Sequence, residues 1–420
     1  MSATLELRDY QRGVLAQIRA AWSRGHNRVC LWLPTGGGKT EVACALALGE
    51  RDGGGHTLFI VERKTLCAQG VARFQKYGML AGMLRGEDTD LRGYEPVTVA
   101  SVQSLRSRDK HEPVKALLER VTLLIVDEAH VLHKYHDEIF DSLPNARGVG
   151  LTATPMREGL GLRYSSLIRG PSYADMIRDG HLVKARYFMP DSIGLLDGLK
   201  QAKVASTGDF ASEGLSSLMR RKTIMGDVVG VLLERGEGRR TICFCVDIAH
   251  SRLLADEFAQ AGVRAEHIDC FTPDEDRADI FSRFAQGKTQ VLCSVGVLAL
   301  GFDQPQVECV ILARPTLSTI MHIQQIGRGW RPYPEKSDCL VFDHALNVSR
   351  HGYIEDFTPP ELNDVNRRSD RKSRDDVSDY RPCPACRAIM APKQRVCGEC
   401  GHAVTAQCGG LRTGRSSRAK

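Results

Sequence analysis

The sequence predicts an α/β protein with two tandem parallel-sheet domains and a small metal-binding module at the C-terminus. Apolar strand-like runs alternate with helical patterns twice along the chain. The first half carries a glycine-rich turn between a strand and a helix, and the C-terminal region carries two C-x-x-C pairs. Strands that alternate with helices pair in parallel, because each crossover helix returns the chain to the same edge of the sheet.

The composition is that of a globular protein. A chain of 420 residues, 42% hydrophobic and 26% charged, is long enough for two or three domains. Because no run of about 18 apolar residues and no secretory signal pattern occurs, we expect a cytoplasmic protein without membrane contacts. Several of the 14 cysteines lie in apolar runs, which indicates small buried residues in a reducing compartment. These are Cys30, Cys243, Cys245, Cys293 and Cys309.

A phosphate-binding loop is predicted between the apolar run 28–33 and the helical stretch 41–48. Glycines let backbone N–H groups face a phosphate chain, and the positive end of the next helix adds attraction. Lys39 is expected to reach the β- and γ-phosphates, and the Thr40 hydroxyl to hold Mg²⁺. Leu33 replaces the first glycine of the full pattern, and a plain glycine turn is the alternative. The loop residues are Thr35, Gly36, Gly37, Gly38, Lys39 and Thr40.

Two adjacent carboxylates, Asp127 and Glu128, follow the apolar run 121–126. A buried strand that ends in this way delivers both side chains to the edge where α/β sheets bind ligands. Beside a phosphate loop, Asp127 is predicted to be the second Mg²⁺ anchor. Glu128 is predicted to be the general base that polarises the attacking water. An ordinary acidic turn is the alternative.

Polar residues at other element ends are predicted to complete this edge. Arg8 and Gln11 begin a helical pattern ahead of the loop, and a glutamine amide offers adenine both a donor and an acceptor. Strand-end residues are expected to contact phosphates without reading sequence; they are Arg63, Ser101 and Gln103. The hydroxyls of Thr152 and Thr154 can hydrogen-bond the acidic pair and transmit its state.

The second half repeats the strand–helix pattern from residue 241 but lacks a phosphate loop. A helix is predicted to carry Gln324, Arg328 and Arg331, with the two arginines on one face. Such arginines stabilise charge on a transferring γ-phosphoryl group, and a structural salt bridge is the alternative. Residues 156–220 show no clear chemistry, and a domain junction is expected near 185–215.

The C-terminal region is first charged and then rich in cysteine. Residues 356–379 are predicted to be a linker, 380–404 a zinc ribbon, and 405–420 a basic tail that suits a polyanionic partner. A segment as short as the ribbon needs a metal to fold, while His402 and Cys408 are expected to be spectators. The predicted ligands of one Zn²⁺ are Cys383, Cys386, Cys397 and Cys400.

The ordered motifs over about residues 5 to 350 resemble those of superfamily 2 helicases of the DEAH-box type. The resemblance implies two RecA-like (P-loop NTPase) domains, at 1–185 and 186–355, which close on ATP and Mg²⁺. It assigns residues 36–40 to the Walker A loop, 127–130 to the Walker B box, and Thr152 to Thr154 to coupling. It further assigns adenine recognition to Arg8 and Gln11, nucleotide and nucleic-acid contacts to Gly301 and Asp303, and the arginine-finger motif to Gln324, Arg328 and Arg331.

Residues 341–352, followed by the four-cysteine ribbon, are similar to the RadD branch of bacterial and phage DNA-repair helicases. This implies ATP-driven movement on single-stranded or forked DNA without sequence preference, together with repair or recombination proteins as partners. Three alternatives stay open: an ATPase that remodels protein–DNA complexes without unwinding, an RNA helicase, and a catalytically idle DNA-binding protein.

Overall fold

The computed structural model describes residues 4–86, 88–108, 111–131, 134–190, 193–298, 304–362 and 372–404. The chain forms two compact units. Unit 1 comprises Met1–Asp175 with Thr358–Ser369, and unit 2 comprises Met176–Phe357 with Asp370–Lys420. Within the described part of the chain, no helix combines the length and the apolar character that crossing a bilayer requires.

Unit 1 is built on an eight-stranded sheet in the order β4-β3-β5-β2-β6-β7-β1-β8, in which the β3–β4 pair is antiparallel and the other described pairs are parallel. Its strands are β1 (Arg28–Trp32), β2 (His56–Val61), β3 (Ala81–Arg85), β4 (Asp88–Asp90), β5 (Val97–Ser101), β6 (Val121–Val126), β7 (Arg147–Thr152) and β8 (Ser166–Arg169). Its helices are α1 (Asp9–Ser23), α2 (Lys39–Asp52), α3 (Thr65–Lys76), α4 (Val102–Arg108), α5 (Glu112–Arg120), α6 (Lys134–Ser142) and α7 (Leu160–Arg163), while α8 (Tyr173–Arg178) spans the division from unit 2.

The sheet of unit 1 is covered on both faces, which explains its continuous apolar strands. Along β1, Val29 and Leu31 join one apolar cluster while Cys30 joins the cluster on the opposite face. Successive side chains of a strand point to opposite faces, so a strand buried on both sides loses the usual apolar–polar alternation.

The strand order determines which motifs become neighbours. Strand β7 lies between β6 and β1 and pairs with both in parallel. The glycine loop follows β1, the acidic pair follows β6, and Thr152 ends β7. Because parallel strands end at the same edge, the segment Thr152-Ala153-Thr154, called the threonine triplet below, lies between the loop and the carboxylates.

Unit 2 is built on a six-stranded parallel sheet in the order β11-β12-β10-β13-β14-β9. Its strands are β9 (Lys184–Phe188), β10 (Thr241–Phe244), β11 (Ala265–Ile268), β12 (Val291–Ser294), β13 (Cys309–Leu312) and β14 (Asp338–Asp343). Its helices are α9 (Ile193–Gln201), α10 (Ser212–Met219), α11 (Lys222–Arg235), α12 (Ile248–Gln260), α13 (Asp274–Ala285), α14 (Thr319–Ile326) and α15 (Asn347–His351), followed by a 3₁₀ turn at Ile354–Asp356. The predicted fold class, two parallel-sheet α/β domains, is confirmed.

The junction between the units differs from the predicted one. The units divide between Asp175 and Met176, earlier than the expected boundary at 185/186. Strand β9 pairs with β14 over its whole length, so all of it belongs to the second sheet. The sequence pattern did not indicate this strand because three helices, α9, α10 and α11, separate it from β10 and the rest of the second α/β pattern.

The predicted linker 356–379 is packed against the protein where it is described. Arg169 donates to Glu361 across 2.7 Å within unit 1. Further along, the backbone N–H of Lys372 donates to the carbonyl of Leu317 at 2.8 Å, and that of Ser378 to Ser349 at 2.7 Å, both within unit 2. The charged composition predicted a linker, and these backbone contacts anchor the segment to the protein.

The cysteine module packs on unit 2 as an extension of its sheet. It contains the short antiparallel strands β15 (Arg381–Pro382) and β16 (Ile389–Met390). Ala388 forms an antiparallel bridge with Phe188 on the edge strand β9, and Tyr353 Oη donates to the carbonyl of Ile389 at 2.8 Å. Cys383, Cys397 and Met390 lie in the same apolar cluster as Phe188, so the module completes the core of unit 2.

Candidate functional site

The glycine loop has the backbone that a phosphate site requires. Gly36 and Gly38 adopt left-handed φ values of 83° and 74°, and Gly38 is the N-cap of α2. The N–H of Gly37 donates to the carbonyl of Pro34 at 2.9 Å and closes the turn. A Cβ at position 38 would lie 2.2 Å from Gln11 Nε2, so both conformation and space require glycine there. The α2 N-terminus therefore follows a curled loop, which is the geometry that binds anions.

Contacts within unit 1 hold the residues on either side of this loop. Lys39 Nζ donates to the carbonyl of Leu33 at 3.4 Å, and Thr40 is the second residue of α2. The N–H of Thr35 donates to Tyr173 Oη at 3.3 Å. Burial raises the pKa of Tyr173 to about 12, so the ring is a neutral phenol at physiological pH. No motif in the sequence pointed to Tyr173.

Gln11 fastens helix α1 to the glycine loop. Its side chain is only 3% exposed; Oε1 accepts from the N–H of Arg8 at 2.9 Å, and Nε2 donates to the carbonyl of Gly37 at 3.4 Å. Tyr10 Oη donates to the same carbonyl at 2.9 Å. The pair Arg8 and Gln11 thus lies beside the loop, and its contact with adenine stays a prediction.

The acidic pair lies at the end of β6 in a constrained backbone. The N–H of Asp127 donates to the carbonyl of Ile60 at 2.9 Å, and Asp127 Oδ1 accepts from the N–H of Glu128 at 3.0 Å. Glu128 has a φ of 47°, a left-handed conformation that costs a non-glycine residue about 1–2 kcal/mol. Strained backbones of this kind cluster at functional sites.

A chain of contacts joins Glu128 to strand β7 through a histidine. His130 Nδ1 lies 2.9 Å from Thr152 Oγ1 and 3.4 Å from Glu128 Oε2, and His130 is 5% exposed. Thr152 Oγ1 also accepts from the N–H of Thr154 at 2.9 Å. We predicted contacts between the threonine hydroxyls and the carboxylates; the described contacts run through His130, to which the sequence motif gave no separate role.

The remaining strand-end residues of unit 1 divide into two kinds. Ser101 is fully buried, and its hydroxyl lies 2.8 Å from that of Ser104. A side chain enclosed in this way does not face a nucleic acid, so the expected phosphate contact of Ser101 is not supported. Arg63 and Gln103 are exposed at the ends of β2 and β5.

In unit 2 the two arginines do not share a helical face, and that prediction is wrong. Helix α14 ends at Ile326, with Gly327 as its C-cap, and Arg328 and Arg331 lie in the loop beyond. Gly327, Gly329 and Pro332 in this stretch favour termination over another helical turn. Gln324 lies in the helix, 5% exposed, and Arg328 is 6% exposed. Gly301 and Asp303 lie outside the described residues.

The signature at 341–352 has a structural role within unit 2. Asp343, fully buried, accepts from the N–H groups of Ala345, Asn347 and Val348 at 3.0, 3.1 and 2.7 Å. Burial raises the pKa of Asp343 while these donors oppose the rise. Asn347 Nδ2 donates to the carbonyl of Arg314 at 2.9 Å, which ties α15 to the segment before α14.

The four predicted zinc ligands converge. Cys383 Sγ lies 3.7 Å from Cys400 Sγ, and Cys386 Sγ lies 3.6 Å from Cys397 Sγ, with all four sulfurs within 4.8 Å of one another. A tetrahedron with Zn–S bonds of about 2.3 Å has edges of about 3.8 Å. Burial opposes ionisation of Cys383, but neighbouring N–H and thiol donors lower its pKa to about 7. The donor set therefore fits a tetrahedral soft cation.

Two protein-family models match the chain. The model described as type III restriction enzyme, res subunit, matches residues 4–157, and the model described as helicase conserved C-terminal domain matches residues 224–333. By these two matches the chain is similar to helicases of superfamily 2. The two matched segments lie in unit 1 and unit 2, respectively, so each unit corresponds to one domain of the family.

Relatives of the chain include phage, fungal and restriction proteins. A 51.5 kDa protein of a Lactococcus phage is 28% identical over 88% of this chain and 76% of its own length. The helicase-family protein IRC3 of Saccharomyces cerevisiae is 30% identical over 80% of this chain, which spans 51% of that protein. The EcoKI type I restriction endonuclease subunit of Escherichia coli is 24% identical, and the chain spans 34% of it. The chain thus spans about half or less of the latter two.

Solved structures share the fold. A fragment of an HsdR-type subunit of a type I restriction enzyme from Vibrio vulnificus superposes with a TM-score of 0.66 at 18% identity, covering 87% of this chain and 70% of the other. The helicase MrfA bound to DNA and AMPPNP superposes with a TM-score of 0.60 at 14% identity, covering 83% and 50%. At these identities the likeness establishes the fold alone, that of two RecA-like domains.

Proposed function

We propose that this protein is a superfamily 2 ATP-dependent motor that moves along DNA. The observation that carries the proposal is the arrangement at the edge of unit 1, where the glycine loop, the threonine triplet and the acidic pair end adjacent parallel strands. In this arrangement Lys39 and the loop N–H groups bind the phosphates of ATP, and Arg8 and Gln11 bind adenine. Relatives described as ATP-dependent helicases support the same chemistry.

The acidic pair and Thr40 supply the remaining parts of the hydrolytic site. Thr40 and Asp127 would hold Mg²⁺, which neutralises charge on the phosphates when bound. Glu128 orients and deprotonates the attacking water, and Glu128 Oε2 has no hydrogen-bond partner among the described residues. His130 links Glu128 to Thr152, so a change at the carboxylate reaches β7, where coupling to nucleic acid is proposed.

Unit 2 supplies positive charge for the transition state in this proposal. Arg328 and Arg331 stabilise the transferring γ-phosphoryl group when the domains close on ATP, with Gln324, Gly301 and Asp303 beside them. Hydrolysis and release then reopen the domains, and each cycle shifts their grip along a phosphodiester backbone. Backbone contacts without base contacts make the movement independent of sequence.

The four cysteines are proposed to hold one Zn²⁺ as a structural ion. The S···S distances fit a tetrahedral site, and a module of this length has little apolar core of its own. Bound zinc would fix the fold of the module against edge strand β9, where Ala388 pairs with Phe188. Buried unpaired thiols elsewhere suit the cytoplasmic location that we also propose.

DNA is the proposed track, single-stranded or forked. The DNA-bound structures of similar fold favour DNA over RNA, and the RadD-like signature favours a role in repair or recombination with protein partners. The test is steady-state ATP hydrolysis with no nucleic acid, single-stranded DNA, duplex DNA, forked DNA or RNA at one salt concentration, since phosphate-driven binding depends steeply on salt.

The outcomes separate the alternatives. We expect strong stimulation by DNA. Stimulation that favours RNA would indicate an RNA helicase, and a rate indifferent to every nucleic acid would overturn the motor on DNA. A strand-displacement assay beside the ATPase assay then distinguishes unwinding from remodelling of protein–DNA complexes. Absence of any turnover would indicate an idle DNA-binding protein.

A further inference from the structure

Lys336 stands immediately after the loop that carries Arg328 and Arg331. The turn is fixed by a hydrogen bond from the N–H of Lys336 to the carbonyl of Tyr333 at 3.0 Å, and Glu335 has a left-handed φ of 67°. The lysine side chain points back toward the polypeptide, where its amine contacts backbone carbonyls.

The ammonium group of Lys336 is surrounded by backbone carbonyls. Nζ donates to the carbonyls of Gly329 and Val307 at 2.5 Å, to that of Arg331 at 2.8 Å, and to that of Pro305 at 3.4 Å. Two of these acceptors lie in the arginine loop, and two lie in the segment that leads into β13. A single charged group thus joins two backbone segments of unit 2.

The same loop is held at two further points. The N–H of Val183 donates to the carbonyl of Trp330 at 2.9 Å, and the Trp330 side chain is fully buried. A Cβ at Gly329 would lie 2.3 Å from Cys339 Sγ, so the backbone approaches β14 as closely as glycine allows. Three consecutive carbonyls, from 329 to 331, are therefore fixed by donors within unit 2.

Burial and the charged groups around the ammonium determine the pKa of Lys336. Burial lowers the pKa of Lys336 to about 8; Arg331 and Arg239 lower it as well, whereas Cys339 and Glu308 raise it. Burial also raises the pKa of Cys339 to about 12, so that thiol does not titrate near the lysine.

We propose that Lys336 is a positioning residue for the reaction, in that its charged amine holds the backbone from which Arg328 and Arg331 reach the γ-phosphoryl group. The inference rests on the proposed ATPase activity and extends it to a residue outside the predicted site. Fixing a catalytic group in place before reaction contributes to rate, and small displacements are costly.

The first experiment compares Lys336→Met with Lys222→Met in the full chain. Methionine keeps most of the volume but offers no donor, and Lys222 is an exposed lysine at the start of α11. We expect the kcat of DNA-stimulated ATP hydrolysis to fall about 10- to 100-fold in Lys336→Met, with KM for ATP changed less than about two-fold. Lys222→Met should match the wild type.

The second experiment uses the wild type, so it stands even if Lys336→Met fails to fold. As pH rises from 7 to 9, the ammonium becomes an amine and loses one donor with its charge. At pH 9, about one-tenth of the molecules keep the charged form, so kcat should fall about ten-fold. Deprotonation of Lys336 does not itself destabilise the fold. Its folded pKa lies below the lysine reference of 10.5, so its contribution to the free energy of unfolding rises as pH increases from about 8 to 10.5.

The outcomes separate this proposal from the function on which it rests. A wild-type protein that never hydrolyses ATP contradicts the proposed function. A wild type that hydrolyses ATP with a kcat constant from pH 7 to 9, or a folded Lys336→Met with wild-type kcat, overturns the role of Lys336 alone. A low but pH-independent kcat in Lys336→Met would support it, because the titrating group has been removed.

Discussion

Thr152 provides the sharpest test of the link between the acidic pair and strand β7. Replacement by valine keeps the shape of the side chain and removes one oxygen. That oxygen lies 2.9 Å from His130 Nδ1 and accepts from the N–H of Thr154 at 2.9 Å. Both partners, His130 and Thr154, are buried, so water cannot replace the hydroxyl group that the substitution removes.

The cost follows from these two contacts. A buried polar group that loses its partner costs about 1–3 kcal/mol, and the 3.4 Å distance from His130 Nδ1 to Glu128 Oε2 allows partial compensation. We therefore expect Thr152→Val to lower the free energy of unfolding by about 2–4 kcal/mol. For a unit of this size, that corresponds to a fall in Tm of about 4–16 °C.

The triplet contains its own control, Thr154→Val. Thr154 Oγ1 is buried without a hydrogen-bond partner among the described residues, so replacing the hydroxyl by a methyl group should change stability by less than about 1 kcal/mol. Scanning calorimetry of the full chain, with and without Mg²⁺ and a non-hydrolysable ATP analogue, measures both variants. The transition that the analogue raises belongs to the nucleotide-binding unit.

Two results would refute the reasoning. If Thr152→Val melted within about 1 °C of the wild type, the Thr152 hydroxyl would not make the two buried hydrogen bonds that the structure shows. If Thr154→Val were as destabilising as Thr152→Val, the hydrogen-bond assignment within the triplet would be reversed. An intact Tm with lost stimulation by DNA would place the hydroxyl in coupling alone.

Four other substitutions, one of them with a matched control, test the rest of the site. Lys39→Ala and Glu128→Gln should each abolish turnover, while Glu128→Gln still binds ATP and DNA in equilibrium binding assays; near-normal turnover by Glu128→Gln would rule out the assigned base. The purified protein should contain about one zinc per chain by elemental analysis. Cys383→Ser should lower the melting temperature of the unit that does not respond to nucleotide, because this cysteine lies in the core of unit 2. Unchanged melting of a metal-free protein would argue against the structural ion. Gly38→Ala should weaken ATP binding at least ten-fold, through strain of about 1–2 kcal/mol and the clash with the side chain behind it. Gly214→Ala, with open space around its Cβ, should leave ATP affinity unchanged.

The sequence predicted the loop of unit 1 because its chemistry is local. Gly36, Gly38 and Lys39 lie within four positions, and their conformations follow from residue type. The four cysteines are likewise paired by short spacings, and their sulfurs converge as expected. Continuous apolar runs indicated strands buried on both faces, and the two clusters of unit 1 confirm them.

The same reasoning could not predict contacts between residues that are far apart in the sequence. Tyr173 reaches Thr35 across 138 positions, and only the pairing of β8 with β1 brings them near each other. The helix expected to carry Arg328 and Arg331 ends before both, as Gly327 and the residues after it favour. The close packing of Gly329 against Cys339 of β14, in contrast, depends on the fold.

The sequence by itself determined the alternation of strands and helices in two domains, the glycine loop, the carboxylate pair and the set of thiols, because each depends on residue type and short spacing. Tertiary structure decided that β7 lies between β6 and β1, that His130 joins Glu128 to Thr152, and that the cysteine module packs on β9. It also decided that Lys336 gathers four carbonyls. These contacts have no local signature, since a hydrogen bond depends on a distance in space that sheet topology sets and neighbouring residues do not.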